Sequence, residues 1–264
     1  MKKLYVIKVG GNIIDDQVRL KNFLLDFSHI RGNKILVHGG GKTVNDLSRR
    51  LGIEPVIEHG RRVTDEETLK IITMVYAGLI NKNIVAWLQS YSCNAIGLSG
   101  PDANIIPAIK RRAGDFDFGF AGDIDQSTIQ APVLKTLIEI GLTPVLSPVT
   151  HDQRGGLLNT NADTIASEVA TALSRFYNVS LIYCFEKKGV LKNINDEHSI
   201  IPQINSENYT ALKNDGVIEK GMIPKLDNAF NALGRGVKSV KICNADKLLN
   251  LINSPEIIGT EICV

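Results

Sequence analysis

Apolar, β-rich runs alternate with amphipathic, helical ones along almost the whole chain. LYVIKV (4–9) is followed by a helical segment at 16–29, a strand ending at Val37 and a helix reaching about Leu51. The polar passage 54–63 reads as a hairpin. Thr64-Asp65-Glu66-Glu67 reads as a capping box that opens a long helix to about Tyr91. AIGLS (95–99) is a strand, 104–121 is hairpin-like with turns at Gly114, Gly119 and Gly122, and a helix near 133–140 leads to the strand TPVLSPV (143–149). A short hairpin spans 151–158 and a helix starts after Asn161. SLIYCF (180–185), VKSVKIC (237–243) and TEICV (260–264) complete the strands.

Repeated β-then-α units predict an α/β fold, a three-layer α/β/α sandwich on a mostly parallel central sheet. In such sheets ligands sit beyond the carboxyl ends of the strands, so chemistry is sought just after them. The weakest compositional seam, 174–178, divides the chain into two lobes, 1–175 and 176–264.

Composition changes this picture mainly by exclusion. A length of 264 residues suits one large α/β unit or two lobes sharing a sheet. A formal charge of +2, with 22% charged residues and no basic run, gives no reason to expect a nucleic-acid or membrane partner. Cys93, Cys184, Cys243 and Cys263 show neither C-x-x-C nor metal-ligand spacing. Cys184 and Cys243 fall in strand-like runs, as buried thiols in a reducing compartment would. Lys8 interrupts the first apolar stretch too early for a signal peptide, and no apolar run approaches membrane-spanning length. A soluble cytoplasmic protein is expected.

The densest chemical signal is KILVHGGGKTVNDL (34–47), a strand, three glycines and a helix start. Glycines there let another group approach the main chain, and the first amides of a helix favour an anion. The alternative is a tight turn with no ligand. Gly41-Lys42-Thr43 imitates the tail of a P-loop, but Leu36 stands where that motif needs its first glycine. The dinucleotide pattern G-x-G-x-x-G fails as well.

Lys8 precedes a second glycine turn, Gly10-Gly11, and would be costly to bury unpaired. A cation and amides aimed at one anion is one reading; a lysine snorkelling at the sheet edge is the other. Arg61-Arg62 is either a bidentate carboxylate grip or a solvated pair. In Asn159-Thr160-Asn161-Ala162-Asp163, Asn161 serves as an ordinary N-cap and Asp163 suits the helix dipole. Lys225 follows Pro224 at a helix start, where a cation opposes the dipole unless an anion lies between. His38 reads as a strand-end hydrogen-bonding residue, while His29, His59, His151 and His198 stand alone. No nucleophile–base pair and no metal cluster is evident, so metal ligands from the protein are not expected.

Lys8-Val9-Gly10-Gly11, His38-Gly39-Gly40-Gly41, Gly60-Arg61-Arg62-Val63-Thr64, Asn159-Thr160-Asn161-Ala162-Asp163 and Gly221-Met222-Ile223-Pro224-Lys225, taken in this order, resemble the amino-acid kinase superfamily, in particular its N-acetylglutamate kinase branch. The resemblance covers essentially the whole chain. It implies the amino-acid kinase fold, with acyl-glutamate and dimer contacts in the N-lobe and ATP in the C-lobe. It also implies transfer of the γ-phosphoryl of MgATP to the side-chain carboxylate of an N-acylated glutamate, in arginine biosynthesis. Lys8 and Lys225 would flank the transferring phosphoryl as catalytic residues, with Asp163 holding both and organising Mg2+, which is bound mainly by ATP and water. Amides of Gly10, Gly11, Gly40 and Gly41 would face phosphate oxygens. Gly40, Gly41, Arg62, Asn159 and Asn161 would bind the acyl-glutamate. Glu186, Lys187, Gly189, Leu191, Ile218, Glu219, Gly221 and Met222 would border the nucleotide. A carboxylate is already nucleophilic at neutral pH, which accounts for the missing general base.

Two departures stand out. Glu186, in Tyr183-Cys184-Phe185-Glu186-Lys187-Lys188-Gly189-Val190-Leu191, replaces the family's usual aspartate. Gly100-Pro101-Asp102-Ala103-Asn104 matches the family's G-K-D-G only in part; if it shapes the acyl pocket, N-succinylglutamate replaces N-acetylglutamate as substrate. The first strand begins close to Met1, without the extra helix of the arginine-inhibited hexamers. By resemblance this implies an arginine-insensitive homodimer, joined through the helix at 65–91. Rival readings are a sister kinase acting on glutamate, aspartate, carbamate or a nucleoside monophosphate, and a non-catalytic nucleotide or anion binder. Two cations converging on one phosphoryl argue against the binder.

Overall fold

The computed structural model describes residues 1–58, 60–114, 116–218, 222–254, 256 and 258–263, with Gln126 in its main chain only. His59, Glu219, Gly221 and Val264 lie outside the described residues. Among the described residues the sheet strands are β1 (Lys3–Val9), β2 (Asn33–His38), β3 (Ala95–Leu98), β4 (Thr143–Leu146), β5 (Asn178–Phe185), β6 (Gln203–Ile204), β7 (Ser239–Asn244) and β8 (Thr260–Ile262). The longer helices are α1 (Gln17–His29), α2 (Gly41–Arg50), α3 (Glu66–Ser90), α4 (Ala131–Glu139), α5 (Ala162–Leu173), α6 (Ser206–Asn214), α7 (Ile223–Gly234) and α8 (Leu248–Asn253).

The strands form one sheet in the order β6-β8-β7-β5-β1-β2-β4-β3. Only the β7–β8 pairing is antiparallel among the described residues, so the sheet is mostly parallel, as the alternation of elements predicts. Its pattern on β1 explains the layers. Leu4 and Val6 point into the core under α4, α5 and α7, whereas Tyr5, Ile7 and Val9 point into the core under α1, α3 and α8. A strand buried on both faces reads as a continuous apolar run, and this one does. Lys8 continues the Leu4–Val6 row, which aims it at α5. Cys184 and Cys243 pair in register on β5 and β7, both buried and free.

Caps fix where helices begin. The Asp16 carboxylate accepts from the amides of Val18 and Arg19, and the Asn161 side chain accepts from those of Asp163 and Thr164. Asn205 and Asn208 form a reciprocal capping box at α6, a helix the apolar pattern does not announce because none of its residues is fully buried.

Three expectations need correction. The α3 cap is Asp65, which accepts from Thr68 N at 2.8 Å, not Thr64. Thr64 is held in the main chain instead: its N–H donates to Phe118 O and its carbonyl accepts from Phe120 N at 2.7 Å, because Gly119 lets the two segments touch. The run TPVLSPV is not one strand. Pro148 has no N–H to continue the ladder, so β4 ends at Leu146 and Val149–His151 turns out to pair with Leu157–Asn159. Finally, α3 is long and apolar enough by length and composition to cross a membrane, contrary to the reading that no run is. Its inner face, including Ile72, Val75, Ile84 and Leu88, packs on the sheet, while Met74 and Leu79 are exposed. Its middle turn, Thr73–Ile80, is π-helical.

Candidate active site

Three of the motifs meet at the carboxyl end of β1. Lys8, carried by the strand, lies 2.8 Å from Asp163 Oδ1, and Lys225, in the first turn of α7, lies 2.6 Å from Oδ2. The motif ending in Asp163 divides the work of placing it. Asn159 is tied by its N–H to Phe120 O, Thr160 is buried and bonds Thr150 and Gly122 O, and Asn161 caps α5. Asp163 then stands in the first turn of α5 with each oxygen facing an ammonium. The Lys225 contact is a direct hydrogen bond, whereas the Lys8 contact is an ion pair off the hydrogen-bonding direction.

Electrostatics keep this carboxyl ionised. Burial alone would raise its pKa, but the Lys8 and Lys225 charges outweigh burial and hold it well below the usual carboxylate range. Burial lowers the Lys225 pKa, and Asp163 opposes that shift. Tyr183, opposite Lys8 in the β5 register, donates its hydroxyl to the Asp163 carbonyl at 3.3 Å and lies under the Lys225 ammonium.

The two glycine turns also converge. A Cβ on Gly11 would sit 3.8 Å from Gly41 N and 3.9 Å from Gly40 N. Gly40 adopts a φ of +136°, and a side chain there would also collide with Ile80 of α3, so the position requires glycine. The amides of Gly11, Gly40 and Gly41 make no bond to another described residue. Gly10 differs from the expectation: its N–H donates to Cys184 O at 2.9 Å, extending the β1–β5 ladder, so its amide is not available to a phosphate. A Cβ on Gly10 would lie 3.4 Å from that of Phe185, an ordinary contact, so space does not demand glycine there. Asp15 accepts from Thr43 Oγ1 at 2.8 Å and ties the first turn to α2.

Lys8, Asp163, Gly11, Gly40 and Gly41 line a cleft of about 280 Å³, and Lys225 stands behind Asp163 without lining it. Arg62 enters it from the hairpin Ile57–Glu58/Arg61–Arg62; its Nη2 donates to Gly41 O at 3.0 Å, and its Nη1 is buried without a hydrogen-bond partner among the described residues. Asn159 donates Nδ2 to Thr64 Oγ1 at 3.0 Å. Asn161 also borders the cleft, but its side-chain oxygen is occupied by the cap. Tyr76 and Arg111 line the cleft too, and sequence reasoning missed both. Tyr76 lies on the inner face of a helix, and Arg111, bonded to Asp123, lies in a loop without a motif. The Gly100–Asn104 segment does not border this cleft. Gly100 abuts Ile106 O and Thr150, so the partial motif there says nothing about the acyl group.

A second cleft, of about 580 Å³, opens beyond the end of β5. Glu186, Lys187, Gly189, Leu191, Ile218 and Met222 line it. Its loop is pinned where Asn244 Nδ2 donates to Glu186 O at 2.7 Å and Val190 N donates to Thr260 Oγ1 at 2.9 Å. The Glu186 charge adds to that of Asp163 in favouring the charged form of Lys225, and is the smaller of the two.

His38 belongs to the scaffold. It is fully buried; if Nδ1 carries the proton, it donates to Gly39 O at 3.0 Å and Nε2 accepts from Asn81 Nδ2 at 3.2 Å. Burial lowers its pKa to about 4. Among the described residues no group of three or more His, Cys, Asp or Glu is placed to hold a metal.

The sequence profile of the amino acid kinase family matches residues 3–244. An acetylglutamate kinase from Cytophaga hutchinsonii is 56% identical over 263 residues, 99% of each chain. One from Phocaeicola vulgatus is 51% identical over 247 residues, covering 94% of this chain and 95% of that one. Among solved structures, N-acetylglutamate synthase from Neisseria gonorrhoeae, complexed with coenzyme A and N-acetyl-glutamate, shares the fold with a TM-score of 0.85 at 21% identity; all of this chain is covered, but it spans only 59% of that one. The smu.665 protein of Streptococcus mutans has a TM-score of 0.77 at 26% identity, with 98% of both chains covered. A profile match over almost the entire sheet, with relatives more than half identical along their full length, means that this chain belongs to the amino acid kinase family.

Proposed function

We propose that this chain is an acetylglutamate kinase, which moves the γ-phosphoryl of ATP to the side-chain carboxylate of N-acetyl-L-glutamate and forms N-acetyl-L-glutamyl 5-phosphate in arginine biosynthesis. The observation that carries this reading is one carboxylate, Asp163, gripped by two ammonium groups at the edge of a glycine-floored cleft. Relatives that bear this name at 50–56% identity support it.

In this reading Lys8 and Lys225 flank the migrating phosphoryl and neutralise the charge on its oxygens, and Asp163 fixes the distance between them. The amides of Gly11, Gly40 and Gly41 face the same oxygens, while Gly10 ties the turn to β5. Arg62 takes the substrate α-carboxylate through its unpartnered Nη1, and Asn159 faces the acyl amide; Asn161 serves chiefly to set Asp163. A substrate carboxylate oxygen bonds to phosphorus as the bond to the β-phosphate bridging oxygen breaks, so no proton moves and no base is needed. Such transfers depend on positioning and preorganised charge. Mg2+ supplies charge neutralisation on the triphosphate. Both Asp163 oxygens already face lysines, so the ion would be held mainly by ATP and water, with Asp163 acting on it through the two lysines it places.

Residues 1–175 form the acyl-glutamate lobe and 176–264 the nucleotide lobe, with the second cleft as the adenine side. Glu219 and Gly221, assigned to the nucleotide by resemblance, lie outside the described residues. The exposed Met74 and Leu79 on α3 support a homodimer through that helix, and sedimentation at twice the chain mass is its check. A cytoplasmic location goes with the biosynthetic role.

The test is ADP release with N-acetyl-L-glutamate, N-succinyl-L-glutamate, glutamate, aspartate and carbamate as acceptors. Turnover should be greatest with the acetyl compound. Preference for the succinyl compound would change the acyl group, preference for a free amino acid or carbamate would move the chain to a sister branch, and no release with any acceptor would leave a binding protein.

A further inference from the structure

Helix α3 is α-helical at both ends and π-helical from Thr73 to Ile80. Such turns are rare and collect at functional sites. This one carries two side chains to the floor of the cleft. Ile80 occupies the space that any side chain on Gly40 would need, and Tyr76 Cε1 lies 3.4 Å from the same point.

Tyr76 also reaches past the glycines. A Cβ on Gly41 would lie 3.7 Å from Arg62 Nη2 and 3.9 Å from the Tyr76 hydroxyl, so both polar ends lie beside that residue. The Arg62 charge lies close enough to the phenol to oppose the upward shift that burial gives it. A buried phenol needs a polar neighbour, and Tyr76 is only 7% exposed, with the guanidinium beside it. Arg62 is held at one end by Gly41 O, with the Tyr76 hydroxyl beside that end, while Nη1 at the other end is buried and without a partner among the described residues. A planar fork with one end fixed and one end free is prepared for a carboxylate.

We propose that Tyr76 is a positioning residue for substrate recognition: it orients Arg62 so that the free edge of the guanidinium meets the α-carboxylate of the acyl-glutamate. The inference rests on the acyl-glutamate reading above and adds to it a residue that no motif marks. Tyr76 does not border the nucleotide cleft; its ring packs against Gly40, and the role proposed here belongs to its hydroxyl. Preorganisation of this kind lowers the cost of binding without adding a contact.

The experiment compares the full-length wild type with Y76F, R62K and the double variant, varying N-acetyl-L-glutamate and ATP independently. Y76F keeps the ring against Gly40 and removes only the hydroxyl. Its KM for N-acetyl-L-glutamate should rise about tenfold, the scale of one hydrogen bond to a charged group. Its KM for ATP and its kcat should stay within about twofold. In the R62K background Y76F should raise KM no further, because the group it orients is gone. An unchanged KM in Y76F, a fall in kcat instead, or additive effects in the double variant would each overturn the proposal. A wild type that releases no ADP with acetylglutamate would instead overturn the reading on which it rests, so the two failures are separable.

Discussion

Two largely buried lysines sit at opposite ends of neighbouring strands, and their surroundings differ in kind. Lys34, near the start of β2, donates to the carbonyls of Phe27, Ser28 and Ile30 at 2.9, 2.7 and 2.9 Å. Those carbonyls belong to the C-terminal turn of α1 and its exit, where main-chain acceptors lack helical partners and the dipole is negative. All three donors of the ammonium are used. Lys8, near the end of β1, has one ionic partner among the described residues and shares it with Lys225. Burying a lysine therefore does not mark a site. A cation whose donors are saturated by carbonyls is a fastener, while one that shares a carboxylate with a second cation retains donors for something else.

The sharpest way to break this comparison is to remove each charge. Lys8→Ala or Lys225→Ala should lower kcat by ~10²-fold or more with the fold intact by circular dichroism, the scale of losing one preorganised stabiliser. Asp163→Asn should be similarly damaging; if it mainly lowers Tm, its role is that of a helix-start residue. Near-normal turnover in both lysine variants would take them out of the mechanism. Lys34→Met should do the reverse. It leaves three carbonyls short of a donor and should cost about 2–4 kcal/mol in urea denaturation, with kcat and both KM values unchanged. A kinetic effect from Lys34→Met would erase the distinction.

Arg62 extends the comparison to a third cation, which combines a fixed end with a free one. Arg62→Lys should raise KM for the acyl-glutamate about tenfold and leave that for ATP nearly unchanged, since an ammonium cannot reproduce the planar fork. The opposite order would place Arg62 on the nucleotide side.

The smallest effect concerns His38, a buried group held neutral. Its folded pKa is about 4, below an unfolded value near 6.5, so between the two the unfolded chain binds more protons. Stability should be independent of this group above pH 6.5 and fall as the pH drops towards 4, by ~2 kcal/mol at pH 5. Urea midpoints of the wild type and His38→Gln between pH 7 and pH 5 check it: the slope should flatten in the variant, and an equal slope in both would assign the titration elsewhere.

How far each part could be read follows from how local its cause is. The strands of the sheet core were legible because burial on both faces writes a continuous apolar run. Asp16 and Asn161 were legible as caps because the capping side chain bonds amides two or three residues away. Thr64 was misread for the complementary reason: an approach by Phe118–Phe120, more than fifty residues distant, claimed it for a bridge and left the cap to Asp65. Gly10 was misread because only the β5 pairing shows that its N–H is already spent. Helix α6 left little trace because it buries no residue fully. Tyr76 left none, since its partner Arg62 is brought near by a hairpin and a helix that packs across it.

The order of apolar and polar positions determined the layers, the parallel sheet and the end of the sheet at which chemistry gathers, because those depend on periodicity and on burial of each segment. The motifs named the residues of the cleft one at a time. The family resemblance named Asp163 as the shared partner of Lys8 and Lys225. Only the folded chain set the distances at which they share it and showed that the Gly10 amide is spent on β5 while those of Gly11, Gly40 and Gly41 stay open. Charge pairing and main-chain contact act over a few ångströms in space, and sequence distance does not carry that information.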